Sequence, residues 1–163
     1  MKKLSKTSII RIIIWTMTIT WMAGIFFLSS RPVEVSRNDS AWVMEKLKIA
    51  DSKATAVDTN NNDMMSIQNY IRKKAHVLLY AGLAILMFLS LYGYVGKLEK
   101  TALISLILTT LYGATDEIHQ IFSKRGAQFP DVLVDARGAV WGLMWVVIIF
   151  MILENSSKTK SDS

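Results

Sequence analysis

Long runs of residues without charge most constrain what this chain can fold into. Residues 12–28, 75–94 and 139–153 contain no Asp, Glu, Lys or Arg. At about 1.5 Å per helical residue, such runs approach the thickness of the hydrocarbon core of a bilayer. Hydrophobic residues make up 52% of the chain, and a soluble fold does not need to concentrate them in blocks. The pattern predicts one domain of membrane-spanning helices.

A further run, residues 101–122, is apolar until it reaches two acids in its last two turns. With it, the sequence predicts an all-α integral membrane four-helix bundle within residues 1–155. The predicted helices cover about 9–28, 68–94, 101–122 and 132–153. Residues 41–49, in the first loop, are too short and too charged to span, and they predict an amphipathic interfacial helix. Residues 156–163 are rich in serine and lysine and predict a flexible tail.

The charge balance limits the partners of the chain. Its formal net charge is +6, which in so apolar a sequence indicates contact with the lipid bilayer and a topology signal. No basic face of a soluble fold is evident, so no nucleic-acid partner is expected. The chain has no cysteine, which excludes disulfides, thiolate zinc sites and a cysteine nucleophile. No cofactor is predicted.

Four crossings place both termini on one side of the membrane. Lys2, Lys3, Lys6 and Arg11 precede the first apolar run, and the orientation is usually dominated by the first helix, so cytoplasmic termini are predicted. The other side carries more cations in total, mostly within one long loop, and the opposite orientation stays open. A basic start before an apolar run is also typical of a cleaved signal peptide, but residues 26–32 lack a small-x-small cleavage site.

The same topology brings polar residues of three helices to one membrane face. His76 lies near the start of the second helix, residues 116–120 end the third, and residues 131–137 begin the fourth. Ionisable residues beside apolar runs are expensive and therefore indicate a functional site. The ordinary alternative is an ion pair, such as Asp116 with Arg125 or Arg137, that makes charge tolerable in the bundle.

Helical spacing predicts which side chains face this site. Lys73, His76 and Tyr80 share one face of their helix, as do Tyr112, Asp116 and Gln120 of the next. On the fourth helix, Asp131, Asp135, Gly138 and Gly142 form a stripe that is predicted to face protein. The two glycines allow close approach of a neighbouring helix. Trp141 and Trp145 are then expected to point to lipid or to the interface.

These residues suggest two kinds of role. Histidine with carboxylates can serve general acid–base chemistry, which gives the catalytic candidates His76, Asp116, Glu117 and Asp131. Cations, amides and hydroxyls can hold a headgroup, which gives the substrate-binding candidates Lys73, Tyr80, Gln120, Arg125, Asp135 and Arg137. Carboxylates with an imidazole can also bind a divalent metal, but tight pairings such as H-x-x-x-H are missing, and no metal site is predicted. No nucleophile motif is present.

The combined motifs resemble the VanZ-like family of small membrane proteins. They are Lys73-x-x-His76-x-x-x-Tyr80, Asp116-Glu117-x-x-Gln120-x-Phe122, Arg125 and Asp131-x-x-x-Asp135-x-x-Gly138-x-x-x-Gly142, and the Ser29-Ser30 end of the first helix is similar as well. Order and spacing match across residues 29–142. One departure is Asp135, where many members have asparagine, and the extra acid changes the charge of the site.

The resemblance implies a multi-pass protein of the cell membrane in a bacterial envelope. The family's namesake is associated with resistance to the lipoglycopeptide teicoplanin. The first functional hypothesis is therefore a polar site at the outer membrane–water interface that acts on or binds an envelope lipid, a lipoglycopeptide or its headgroup. The alternative is a non-catalytic membrane protein that sequesters or blocks a lipid-anchored ligand or assists a partner protein. A transporter is a third hypothesis, which would require an oligomer.

Overall fold

Four helices form the part of the chain that the structure describes. The structure is a computed structural model, and it describes residues 5–30, 42, 61–122 and 129–161. The helices are α1 (Lys6–Ser29), α2 (Asn61–Val95), α3 (Leu98–Phe122) and α4 (Phe129–Ser161). No strand is present in these ranges. The predicted all-α bundle is confirmed.

Local chemistry sets two of the helix ends. Ser5 is the N-cap of α1, and its side chain accepts a hydrogen bond from the Ser8 amide. Between α2 and α3, Gly96 has φ +67°, a left-handed conformation that favours glycine. Its amide donates to the Tyr92 carbonyl at 3.0 Å. Since only residues 96 and 97 separate the two helices, α2 and α3 are antiparallel neighbours, as the sequence predicts.

The helices are longer than predicted. Helix α2 begins at Asn61 rather than near 68, and α4 continues to Ser161 rather than ending near 153. Residues up to 161 of the predicted tail are therefore helical. Apolar runs mark the part of a helix that lies in lipid, whereas polar residues can continue the same helix into water. Apart from Trp42, the predicted interfacial helix at 41–49 lies outside the described residues.

Helix α2 is the centre of the bundle, because it packs against each of the other three helices. Its contact with α4 is the most extensive, and together they form the main apolar core, which contains Ala84, Phe88, Ala139, Leu143 and Val146. Helix α1 packs antiparallel to α2. This register is fixed by Arg11, which donates to the Gly93 carbonyl at 2.8 Å, and by Trp21, which donates to the Leu79 carbonyl at 2.9 Å.

Two glycines allow α4 to lie directly on the backbone of α2. A Cβ atom on Gly138 would overlap the backbone of Val77, and one on Gly142 would lie 2.9 Å from Ala81 Cα. Because no side chain separates the two backbones at these positions, the predicted close approach is confirmed. Trp141 and Trp145, on the outer side of α4, are exposed, as the stripe predicts.

The surface of the bundle is that of a membrane protein. Helices α1, α2 and α4 contain segments long and apolar enough to span a membrane: Lys6–Ser29, Tyr70–Val95 and Asp131–Ser156. Helix α3 has acids near both ends and is not among them, but it packs along α2 and α4. It buries small and hydroxyl residues and exposes Leu103, Ile107, Leu111 and Ile118, an arrangement suited to contact with lipid.

Candidate functional site

A polar cluster lies at the end of the bundle where α1 and α3 end and where α4 begins. It consists of Ser29 on α1, Lys73 and His76 on α2, Asp116, Glu117 and Gln120 on α3, and Asp131 and Asp135 on α4. Three of the contributing helices are those that the sequence indicates. The fourth, α1, and its residue Ser29 were not predicted as part of the site.

Two contacts connect α2 to the start of α4. His76 Nδ1 lies 3.3 Å from Asp135 Oδ1, and Lys73 Nζ lies 3.5 Å from Asp131 Oδ1. The side chains become steadily less accessible toward the interior: Lys73 is 48% exposed, Asp131 21%, His76 20% and Asp135 only 1%. The site therefore has a wet, cationic outer edge and a dry, acidic inner wall.

A second group of hydrogen bonds ties α1 to α3. The Ser29 hydroxyl donates to Asp116 Oδ2 at 2.6 Å, and the Gln120 amide donates to Ser29 Oγ at 2.6 Å and to Asp116 Oδ2 at 3.1 Å. All three side chains are buried. Next to them, Ser30 Oγ lies 3.1 Å from His119 Nε2, so His119 contacts the end of α1. The Asp116–Gln120 spacing predicts the shared face but not its partner on α1.

Several buried oxygen atoms of the cluster have no hydrogen-bond partner within the described residues. They are Tyr80 Oη, Asp116 Oδ1, Glu117 Oε2 and Asp135 Oδ2. Each belongs to a side chain that is at least nine-tenths buried. An unsatisfied buried polar atom costs about 1–3 kcal/mol, and more when it is charged. The cluster therefore has a surplus of hydrogen-bond acceptors at its inner wall.

Gly113 creates the space that these inner groups occupy. A Cβ atom at this position would lie 3.3 Å from Tyr80 Cε1, 3.3 Å from Asp135 Cβ and 3.4 Å from Asp135 Oδ2. The absence of a side chain on α3 therefore allows the tyrosine of α2 and the carboxylate of α4 to pack against the α3 backbone. The sequence analysis did not identify Gly113, although it lies four residues after Thr109 on the buried face of α3.

A cleft opens into the cluster between α2, α3 and α4. Arg72, which is not among the predicted site residues, belongs to its wall. The lining residues are Arg72, Lys73, His76, Glu117, Gln120, Asp131, Val134 and Asp135. Three of these eight are carboxylic acids, so the interior attracts cations and hydrogen-bond donors.

Neither of the two predicted arginines is among the described residues of this arrangement. Arg137 is exposed on another face of α4, beside Leu133, Val140 and Trp141. It follows Asp135 by two residues and so lies on nearly the opposite side of the helix, which excludes it from the Asp131–Asp135 face. Arg125 lies outside the described residues. The alternative of an Asp116–Arg137 ion pair does not fit this placement.

An apolar groove runs along the outside of the bundle between α1 and α2. It has a volume of about 420 Å³, and its wall is formed by Thr16, Met17, Thr20, Trp21, Gly24, Ile25, Leu28, Leu79 and Leu86. Leu28 directly precedes Ser29 of the polar cluster, and Leu79 lies one turn from His76. Each wall of the groove therefore includes a residue that is close along its helix to a residue of the polar cluster.

The chemistry of the cluster follows from its composition. Carboxylates and an imidazole in hydrogen-bond contact can move protons, and buried acceptors can bind an ammonium or amide donor. Within residues 5–30, 61–122 and 129–161, no three His, Asp or Glu side chains are placed to hold one metal ion together.

Comparison with known proteins gives one result. The protein-family model described as VanZ/LLP1 matches residues 14–152, which include every residue of the polar cluster. No curated protein and no solved structure matches the chain.

Proposed function

Since the chain belongs to the VanZ/LLP1 family and has membrane-spanning helices, we propose that it binds or acts on an envelope amphiphile through the polar cluster. The observation that carries this proposal is that the wall of the α1–α2 groove includes Leu28, the residue that precedes Ser29 of the cluster. An amphiphile has a polar headgroup and an apolar chain, and each would have a matching surface at one end of this bundle.

In this proposal, the inner acids are the working groups. Asp116 and Asp135 are each held by hydrogen bonding to one carboxylate oxygen. The other oxygen has no hydrogen-bond partner among the described residues. The held oxygen fixes the orientation of the carboxylate, and the other oxygen is available to a headgroup or to a proton in transit. His76 and Asp131 lie further out and would contact the same headgroup.

The function can be tested by the amphiphiles that copurify with the protein. The full-length chain would be purified from bacterial membranes in mild detergent, and bound amphiphiles would be quantified by mass spectrometry. We expect Asp116→Asn and Glu117→Gln to lose the bound species, because both change a buried acceptor of the cluster. Glu99→Gln is the matched control, since Glu99 is an exposed acid at the other end of α3. Equal retention by all four proteins would contradict the proposal.

We place the cluster at the outer membrane–water interface, with both termini in the cytoplasm. Support comes from the cations near the start of α1, since Lys6 and Arg11 lie at the opposite end of the bundle from the cluster. Single cysteines at Lys74 and Lys100 test the orientation, since both side chains are exposed and lie at opposite ends. An impermeant thiol reagent should label Lys74→Cys in intact cells. It should label Lys100→Cys only after the cells are lysed. The reverse pattern would place the cluster on the cytoplasmic side.

The phenotype to measure first is susceptibility to teicoplanin, as the family resemblance suggests. Expression of the wild-type chain in a susceptible bacterium should raise the inhibitory concentration, and Asp116→Asn should abolish the increase at equal membrane abundance. Glu99→Gln should behave as the wild type.

A non-catalytic role is the second candidate, and one observation favours it. His76 contacts Asp135 and Lys73 contacts Asp131 across the α2–α4 interface, and these two pairs can serve as structural links between the helices. A protein that works through its packing or by assisting a partner protein, without using the acids of the cluster, would keep its phenotype in Asp116→Asn, which preserves the shape of the side chain. It would lose the phenotype in Gly138→Leu, which forces α2 and α4 apart.

A further inference from the structure

The cleft has an unequal distribution of charge from its opening to its inner wall. The Lys73 side chain is 48% exposed, whereas Glu117 is 6% exposed and Asp135 only 1%. The cations therefore lie toward the rim, and the acids lie toward the interior. A ligand complementary to this cleft carries positive charge at its inner end and negative charge nearer to water.

The inner wall also specifies the form of the positive group. Glu117 and Asp135 line the cleft, and their atoms Glu117 Oε2 and Asp135 Oδ2 are buried and lack hydrogen-bond partners within the described residues. A primary ammonium group has three N–H donors and one positive charge, so it could satisfy several acceptors at once. A metal ion fits less well, because no three acidic or imidazole side chains among the described residues are placed to coordinate one. The wall is suited to hydrogen bonding rather than to coordination.

The rim is suited to a phosphate. Arg72 and Lys73, which are adjacent residues of α2, both line the cleft. Arginine and lysine form strong charge-assisted hydrogen bonds with phosphate oxygens. Lys73 contacts Asp131 at 3.5 Å, a separation longer than a normal charge-assisted hydrogen bond, so it can engage a phosphate without breaking a short contact.

We propose that the amphiphile bound by this site is a lipid with a zwitterionic aminophosphate headgroup: its primary ammonium group contacts Glu117 and Asp135, its phosphate contacts Arg72 and Lys73, and its chain lies in the α1–α2 groove. This inference rests on the proposed function and specifies its ligand class. A purely anionic ligand fits the cleft less well, because the three acids of the cleft would repel it.

The test uses the full-length protein in detergent with three phospholipids that share the same acyl chains. Phosphatidylethanolamine has the primary ammonium group, phosphatidylcholine replaces its N–H donors with methyl groups, and phosphatidylglycerol has no cation. The bound fraction of each would be measured by native mass spectrometry from an equimolar mixture. We expect phosphatidylethanolamine to be retained about tenfold over either competitor, since charged hydrogen bonds of this kind discriminate by about that factor.

Substitutions locate the preference in the cleft. Glu117→Gln and Asp135→Asn should each reduce the retention of phosphatidylethanolamine toward that of phosphatidylglycerol, and Glu99→Gln should leave it unchanged. Arg72→Gln should weaken phosphatidylethanolamine and phosphatidylglycerol alike, because both carry the phosphate. Measurement of Tm for each variant separates loss of binding from loss of the fold.

The possible outcomes distinguish this inference from the proposed function. If the protein prefers phosphatidylglycerol and the preference depends on Glu117, the assignment of an aminophosphate headgroup is overturned. The proposal that the polar cluster binds a lipid would then still hold. Equal retention of all three lipids in every variant would overturn both. Soluble phosphoethanolamine, added as a competitor at millimolar concentration, separates a lipid from a free aminophosphate. Failure to displace the lipid supports the bound chain, whereas full displacement shows that the headgroup alone is recognised and overturns the part assigned to the groove.

Discussion

The contact between Gly142 and α2 allows a sharp test of the packing. In Gly142→Ala, the new methyl group would lie 2.9 Å from both Cα and the carbonyl carbon of Ala81. Non-bonded carbon atoms reach their optimum at about 3.5–4.0 Å, so α2 and α4 would have to separate locally by about 0.6 Å or more. Neither partner can avoid this by a change of rotamer, because the obstructing atoms belong to the backbone.

The expected cost can be estimated from two opposing effects. Overpacking of this kind costs about 1–3 kcal/mol. Alanine in place of glycine within a helix recovers about 1 kcal/mol through its higher helix propensity. Gly24→Ala in α1 provides the second effect without the first, because no atom lies within 4 Å of its added Cβ. The difference between the two variants therefore isolates the clash, and it should amount to about 1–3 kcal/mol.

The assay is thermal unfolding of the purified chain in one detergent, followed by helical circular dichroism. For a chain of this size, 1 kcal/mol corresponds to about 2–4 °C in Tm. We therefore expect Gly142→Ala to melt about 3–10 °C below Gly24→Ala. Equal Tm values for the two variants, or a higher value for Gly142→Ala, would refute the close approach of α4 to α2. The separation would also stretch the His76–Asp135 contact, now 3.3 Å, beyond hydrogen-bond length if it extends two turns along α4.

Four further substitutions test the cluster and its surroundings. Ser29→Ala removes the hydroxyl between a buried carboxylate and a buried amide, and it should lower the free energy of unfolding by about 1.5–3 kcal/mol in the same melting assay. Tyr80→Phe should keep or raise the Tm, because its hydroxyl is buried and has no hydrogen-bond partner among the described residues. By contrast, Tyr112→Phe should cost about 1 kcal/mol, since that hydroxyl donates to a backbone carbonyl of α1. Arg137→Gln should retain as much amphiphile as the wild type, and a loss equal to that of Glu117→Gln would show that the arginine reaches the site after all.

Contacts within a single helix could largely be predicted from the sequence. The spacing of Asp116 and Gln120 predicts that both face the same way, and both are buried in the same network. Likewise, the Gly138–Gly142 pair predicts a close helix contact, although the sequence does not say that α2 supplies it. These inferences succeed because the period of an α-helix converts spacing directly into direction.

Contacts between distant segments could not be predicted in the same way. Ser29 and Asp116 are 87 residues apart, and no local pattern indicates that the end of α1 reaches the acids of α3. The charge of Arg137 suggested a binding role, but the structure places the residue on another face of α4, away from Asp131 and Asp135. The roles of the remaining site residues stay predictions, since geometry alone does not distinguish catalysis from binding.

The hydrogen bond between Ser29 and Asp116 also has a consequence for biosynthesis. Helix α1 emerges first from the ribosome and enters the membrane before the residues that will satisfy its last turn have been synthesised. Its terminal hydroxyl can meet its carboxylate only after 87 further residues have followed and α3 has docked. The polar cluster is therefore among the last parts of the bundle to form, and nascent chains that end before α3 present α1 to the lipid without its partner.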